Sequence, residues 1–178
     1  MPVYSVPLPE SSVLKALEGA NKIRILGCGF CDNWSLAYQN DQPISELVKQ
    51  GDQTIQVPYS LNKKANHYKK LLEEKDIECG VEIIPMLCQY SNDSDLLEMS
   101  GDAPWTRSDF IVRCWGSDAV LCLGCSAAFI GLKKRLGDEV KVVPGLRSVG
   151  VLQVQAYLDD SKKYVMIVKE GSTVIKNK

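Results

Sequence analysis

A chain of 178 residues with 21 Lys and Arg against 22 Asp and Glu carries almost no net charge, so no strong field draws it to nucleic acid or to an anionic membrane surface. The length suffices for one domain that buries roughly 70% of its unfolded surface without disulfide support, and an odd count of seven cysteines argues against a closed disulfide framework. The longest apolar runs, around residues 119–123 and 165–168, fall far short of the roughly 20 residues that a membrane-spanning helix needs.

The opening Met1-Pro2-Val3-Tyr4-Ser5 has neither the basic region nor the apolar core of a signal peptide, so a cytoplasmic protein with reduced thiols is expected. Residues 13–18 have helical spacing behind Ser11 and Ser12 as caps. Residues 22–27, Lys-Ile-Arg-Ile-Leu-Gly, form a β-branched run that ends in Cys28 and reads as strand one. Residues 45–49 behind Pro43 read as a short helix, and residues 54–58 as strand two with a proline stop. Residues 68–75 are good helix formers with a breaker at Gly80. Residues 81–87 read as strand three, which delivers Cys88. The polar stretch 89–104 reads as surface loop, and residues 107–115 as a helix behind Thr106.

Residues 118–123, Asp-Ala-Val-Leu-Cys-Leu, make the clearest buried strand, followed by a helix over 126–136 that starts beside Cys125. A short strand over 140–143 leads to Pro144-Gly145. Beyond it, residues 151–158, 164–169 and 173–176 are separated by Asp159-Asp160-Ser161-Lys162 and Glu170-Gly171-Ser172, which is turn chemistry and predicts a β-meander, with a helix over 149–158 as the alternative. Alternating strands and helices predict an α/β fold, Rossmann-like or flavodoxin-like, with a three-layer parallel sheet. The whole chain, 1–178, reads as one domain with its core over about 11–147 and a C-terminal β extension over about 148–178.

Two Cys-x-x-Cys pairs stand out, Cys28-Gly29-Phe30-Cys31 and Cys122-Leu123-Gly124-Cys125. In a doubly wound sheet, strand one and the strand over 118–123 lie side by side at the switch point, where ligands bind beyond the carboxyl ends. Both pairs and Cys88 then open onto one rim. Four thiolates suit a zinc ion or an iron-sulfur cluster. Cys122 sits within a strand three residues before Cys125, so the two are expected to point to opposite faces. Cys125, at a helix start, is favoured as thiolate. The expected metal ligands are therefore Cys28, Cys31, Cys88 and Cys125, with Cys122 as the alternate.

Gly27 and Gly29 allow close backbone approach at the first pair. Cys79 and Cys114 read as ordinary loop or core thiols. His67, the single histidine, falls among lysines on a solvated face, which nearly excludes a histidine-based hydrolytic site. Asp32 and Asn33 read as helix caps, with contact to a substrate as the other reading, and no phosphate-binding loop is complete. A thiol-disulfide enzyme using Cys28 and Cys31, or a binding module whose cysteines are simply core, are the competing readings, and the residues alone do not specify an enzyme.

The segment Ile25-Leu26-Gly27-Cys28-Gly29-Phe30-Cys31, the later Cys88, and residues 119–125 followed by a helix and Val142-Val143-Pro144-Gly145-Leu146 resemble the cysteine-rich C-terminal domain or partner subunit of bacterial methylenetetrahydrofolate reductases. The resemblance implies a module that binds zinc or an iron-sulfur cluster, most simply one 4Fe-4S cluster, and that accompanies a flavoprotein reductase subunit or another redox protein in one-carbon metabolism. It places the ligands at Cys28, Cys31, Cys88 and Cys125 and leaves the folate and flavin site to the partner. Ser35 stands where the family often has a third cysteine, and residues 151–176 replace a further cysteine-rich tail, which together imply one cluster instead of two.

Overall fold

Residues of alternating burial at 22–28 and a fully buried run at 119–123 pair in parallel, with Ile23 opposite Ala119 and Gly27 opposite Leu123. A computed structural model describes residues 1–92, 111 and 113–176. The elements in chain order are β1 (Val3–Pro7), α1 (Glu10–Ala16), β2 (Lys22–Cys28), α2 (Cys31–Asn40), β3 (Ser45–Gln50), β4 (Gln53–Pro58), α3 (Ser60–Glu73), β5 (Glu78–Ile84), α4 (Leu87–Asn92), β6 (Ala119–Leu123), α5 (Ser126–Leu136), β7 (Lys141–Pro144), β8 (Leu146–Leu158) and β9 (Tyr164–Lys176). The fold is mixed α/β, with a four-stranded parallel sheet ordered β5-β2-β6-β7 and a separate antiparallel sheet ordered β1-β8-β9-β3-β4.

Side chains alternate across the parallel sheet because the strand period is two. Ile23, Ile25, Ala119, Leu121 and Leu123 face Leu17, Leu61, Tyr68 and Leu72 of α1, α3 and the turn after α1. Leu26, Cys28, Val120 and Cys122 belong to a second cluster, with Leu87 of α4 and Ala128, Leu132 and Leu136 of α5. Helical cover on both faces explains why β6 is apolar at every position. At the other edge, Asp118 Oδ2 accepts from the Asn21 and Lys22 amides at 2.7 and 2.9 Å, which fixes how β2 and β6 enter the sheet together.

Helix α2 lies between the two sheets. Leu36 joins the first cluster, while Ala37 packs with Ile44 and Ile167 of the antiparallel side. Its inner edge is tied to β1, because Ser35 Oγ donates toward the Val3 and Cys31 carbonyls at 3.1 and 2.9 Å and accepts from the Ser5 amide at 3.1 Å. The Gln39 side-chain amide donates to the Ser5 carbonyl at 2.7 Å.

Several expectations are corrected. Residues 45–49 form strand β3 and not a helix, and the 54–58 strand pairs with it as an antiparallel hairpin instead of joining the parallel sheet. The tight turn at Gly51, φ +62°, makes that hairpin, and the burial of β3 declines toward it, so pairing overrides the local helical pattern. Residues 3–7 form β1, paired with β8, where no strand was expected. Gly80 lies inside β5, which pairs with β2 over seven residues from Glu78 to Ile84. The third strand ends at Ile84 and not at Leu87, so residues 87–92 are helical where the end of that strand and, from Gln89, loop were expected; the rest of the 89–104 stretch lies outside the described residues. The 107–115 helix is described only at 111 and 113–115, which are helical. The meander is a hairpin of two long strands, β8 and β9, with a register shift between Gln153 and Gln155. The Ser172 hydroxyl accepts from the Gln155 amide and donates to the Val168 carbonyl at that irregularity. The Glu170-Gly171-Ser172 segment is thus a bulge and not a chain reversal.

Candidate metal centre

Strand order reverses between β2 and β6: the chain runs from β2 outward to β5, then returns to β6 on the other side. The carboxyl ends at that reversal carry Cys28 as the last residue of β2 and Cys125 two residues beyond β6. Cys31 opens α2, and Cys125 is the N-cap residue of α5 with extended backbone, φ −65° and ψ 169°. Cys88 is the second residue of α4, after β5. The Ser126 amide is capped by Ser148 Oγ at 3.0 Å, so β8 anchors the α5 start. Gly27 supports the close packing: a Cβ there would stand 2.7 Å from Ile83 Cδ1 and 2.8 Å from Leu61 Cδ2.

Burial divides the thiols. Cys28 and Cys125 are buried, Cys31 and Cys88 half-buried, and all seven cysteines are free thiols. Burial pushes the Cys28 thiol up to about 12, with the Asp32 charge adding to the effect, and raises Cys31 for the same two main reasons. The Cys28 thiol points to the Pro85 carbonyl at 3.9 Å. The contact between Cys88 and Cys125 raises the Cys88 thiol and lowers that of Cys125, where the Ala127 and Ala128 amides also favour the thiolate. A thiolate at a helix start is the arrangement that those free amides stabilise.

Cys122 departs from expectation. It lies in the same buried cluster as Cys28 and Cys125 instead of on the opposite face, and its thiol, raised by burial, also senses Asp32, Cys125 and Cys28. The alternation of a strand ends with the strand, and the chain turns at Gly124 before Cys125 is placed. Cys122 therefore forms the floor of the rim. Cys79 is half-buried beside the other helical layer, and Cys114 is buried. His67 is half exposed and pairs with Glu10 at 2.6 Å.

The residue that the helix-cap reading misassigns is Asp32. It is wholly buried, and neither carboxylate oxygen has a hydrogen-bond partner. The Ser5 hydroxyl, the Cys125 amide and the Cys28 thiol are the donors that face it, and none meets strict hydrogen-bond geometry. Burial raises its carboxyl from 3.8 to about 7. Asn33 caps a different helix from its own: its oxygen accepts at 2.9 Å from the Leu61 amide in the first turn of α3, while its amide donates to the Ile44 carbonyl at 2.6 Å, pinning α2 to the start of β3 and to α3. No spacing in the sequence marks Asp32 as buried, and the N-cap residue of its helix, Phe30, makes no side-chain cap.

Beside the rim, between α2, the β3–β4 hairpin and the β5–α4 turn, runs an apolar cleft of about 530 Å³ lined by Phe30, Trp34, Pro58, Ile83 and Met86. Phe30, between the first two cysteines, is 46% exposed and Met86 41%. Among the described residues, no three Cys, His, Asp or Glu side chains converge closely enough to hold one ion, so ligation by four requires side chains to turn inward. The sulfurs of Cys28, Cys88 and Cys125 reach this rim from the ends of three strands. No helix among the described residues is long and apolar enough to cross a membrane. Comparison with known protein families, characterised proteins and solved structures finds no match to this chain.

Proposed function

We propose that this protein is a cytoplasmic accessory module of Rossmann-like type that binds one metal centre through Cys28, Cys31, Cys88 and Cys125. The preferred occupant is a 4Fe-4S cluster serving a flavoprotein reductase of the methylenetetrahydrofolate reductase kind. The observation that carries the reading is the delivery of these four thiols to one rim by the ends of β2, β5 and β6. When bound, such a cluster supplies one-electron transfer at a potential set by its surroundings. The chain's own contribution is to hold the thiolates, with the Ala127 and Ala128 amides favouring charge on Cys125, and to keep water from the buried Cys28 side. The apolar cleft at Phe30 and Met86 offers the partner a contact surface next to the centre.

Zinc is the alternative occupant, and it would make the site structural or methyl-accepting. A dithiol enzyme built on Cys28 and Cys31 is less favoured, because burial raises both thiols and leaves Cys28 only 1% exposed. Anaerobic purification followed by metal analysis and a visible spectrum tests the reading. Broad absorbance near the violet edge that bleaches with dithionite, lost in both Cys28→Ser and Cys125→Ser, is expected. A colourless protein with one zinc per chain replaces the electron-transfer version, and a metal-free protein that takes up neither metal removes the reading altogether.

A further inference from the structure

Strand β4 is the free edge of the antiparallel sheet, with β3 on one side and, among the described residues, no strand on the other. Which of its backbone groups face outward follows from the hairpin. Gln50 pairs with Gln53 across the Gly51-Asp52 turn, and the register couples Val48 with Ile55, Leu47 with Gln56 and Lys49 with Thr54. The Leu47 amide donates away from β4, to the Lys163 carbonyl at 2.7 Å. Hydrogen-bonding direction alternates along an antiparallel strand, so the N–H and C=O groups of Thr54 and Gln56 point away from β3, onto the open edge. Native edge strands are ordinarily blunted by charge, proline or a covering element, because such a row templates pairing with another chain. Residues 53–57, Gln-Thr-Ile-Gln-Val, carry neither charge nor proline, and the first four are exposed. Val48 and Ile55, paired and therefore on one face of the hairpin, are 38% and 37% exposed.

We infer that β4 pairs with β4 of a second copy of this chain, antiparallel about a two-fold axis at Ile55, so that the two antiparallel sheets become one continuous sheet. The occupant is a second copy because this edge is complementary to itself. An axis at Ile55 sets Thr54 opposite Gln56 of the other copy and Gln56 opposite its Thr54, the residues whose groups face outward, and each such pair exchanges both of its hydrogen bonds. An axis at Gln56 would instead oppose Thr54 to Pro58, which has no N–H, and an axis at Thr54 would oppose Gln56 to Asp52 in the turn. The favoured axis also brings Ile55 against Ile55, in a row that runs Val48, Ile55, Ile55, Val48 across the joined hairpins. Directly opposed branched side chains are the pairs that stabilise a sheet, and with residues 53–57 uncharged no like charges meet on the paired strands. Ile55 points to the face opposite Gln56, and Gln56 lines the apolar cleft. The contact is thus separate from the surface offered to the reductase partner and holds or fails independently of the metal-centre reading.

Sedimentation equilibrium of the full chain over a concentration series, under reducing conditions, tests this. A short edge contact belongs to the small, weak class of interfaces, so a reversible equilibrium between the 19.7 kDa chain and twice that mass is expected, with a dissociation constant on the order of 10–100 µM. Amide exchange at Thr54 and Gln56 should slow as concentration rises, while the Val57 amide, already bonded to β3, is unchanged. Ile55→Lys opposes two lysines and Ile55→Glu two glutamates, and each alone should weaken association on the order of 10-fold or more. An equimolar mixture of the two should recover it as a mixed dimer, a rescue that misfolded variants would not give. Thr54→Pro, which removes an outward N–H and leaves the β3 ladder intact, should weaken association as well. A wild type that stays monomeric at about 500 µM, several times the expected constant, overturns the inference. A dimer that survives in both Ile55→Lys and Thr54→Pro, or one in which Thr54 and Gln56 exchange at the same rate at every concentration, forms elsewhere and also overturns it. Folded Ile55→Lys and Ile55→Glu chains that do not associate on mixing overturn the Ile55 axis.

Discussion

The two sheets treat their side chains differently. In the parallel sheet, β6 is buried at all five positions, because helices cover both faces. In the antiparallel sheet, β4 is exposed over its first four residues and β8 over its last four, because α2 covers only part of one face. All seven cysteines fall in or next to the parallel sheet and its helices, and none in β1, β3, β4, β8 or β9. The parallel arrangement sends consecutive strand ends to one edge, so residues far apart in sequence meet there without any contact specifying it. The antiparallel sheet gives α2 a second surface to lean on, and through Ser5 and Ser35 it fixes the angle at which Cys31 and Asp32 enter the rim.

The largest expected effect separates the buried rim from the rest of the fold by pH. Burial raises the Asp32 carboxyl from 3.8 to about 7, so folding disfavours its ionised form. Well below pH 3.8 the proton is present in both folded and unfolded chains, and stability from this group is complete. As pH rises the unfolded chain ionises first, so stability is lost progressively until the folded carboxyl also ionises near pH 7, and then levels off. The gap amounts to about 4 kcal/mol. Denaturant unfolding of the metal-free protein at pH 4 and pH 8, compared with Asp32→Asn, reads this directly. The variant should come within about 1 kcal/mol of wild type at pH 4 and exceed it at pH 8 by a few kcal/mol. Equal stability at pH 8 would show that solvent or a donor reaches the carboxylate, and would remove the contrast between rim and surface.

Next in size is the parallel core itself. Leu121 is fully buried in the central strand β6, against the α1 and α3 layer. Leu121→Ala removes three carbons from a site with no solvent access and should cost about 2–5 kcal/mol, measured as a lower denaturation midpoint with an unchanged slope. A loss under about 1 kcal/mol would mean that the parallel sheet is not the stabilising unit.

Much of this was legible because the signals are local. Residues 22–28 and 119–123 read as strands from their β-branched and apolar runs, residues 126–136 read as a helix with the observed bounds, and adjacency of β2 and β6 followed from connection order. The antiparallel sheet was legible only at β4 and in the β8–β9 hairpin, since β1 takes its pairing from β8 at the other end of the chain, and the 45–49 segment carries helix formers that only hairpin pairing overrides. Cys122 was placed on the wrong face because strand alternation was extended through a turn. Asp32 was read as a cap since acidic residues are common in a first helical turn, and only the Ser5 side of the packing, supplied by β1, shows that it is sealed.

The smallest effect completes the contrast. At the far end of the β8–β9 hairpin, Tyr157 is 48% exposed and Leu158 46%, on a strand stretch where all the stabilising pairing is backbone to backbone across to Val165 and Met166. Tyr157→Ser leaves that ladder intact and removes only a partly solvated ring, so the expected change is within about 0.5 kcal/mol, with metal uptake unaltered. Thermal melting and metal analysis on the same preparation check both halves. A larger loss of stability would assign this hairpin end a packing role that its exposure does not show. Lost metal uptake with stability intact would mean that the two sheets are coupled through α2, since its Ala37 packs toward Ile167 of β9 while its first turn carries Cys31 and Asp32. A stable, fully loaded variant confines the chemistry of this chain to the parallel rim.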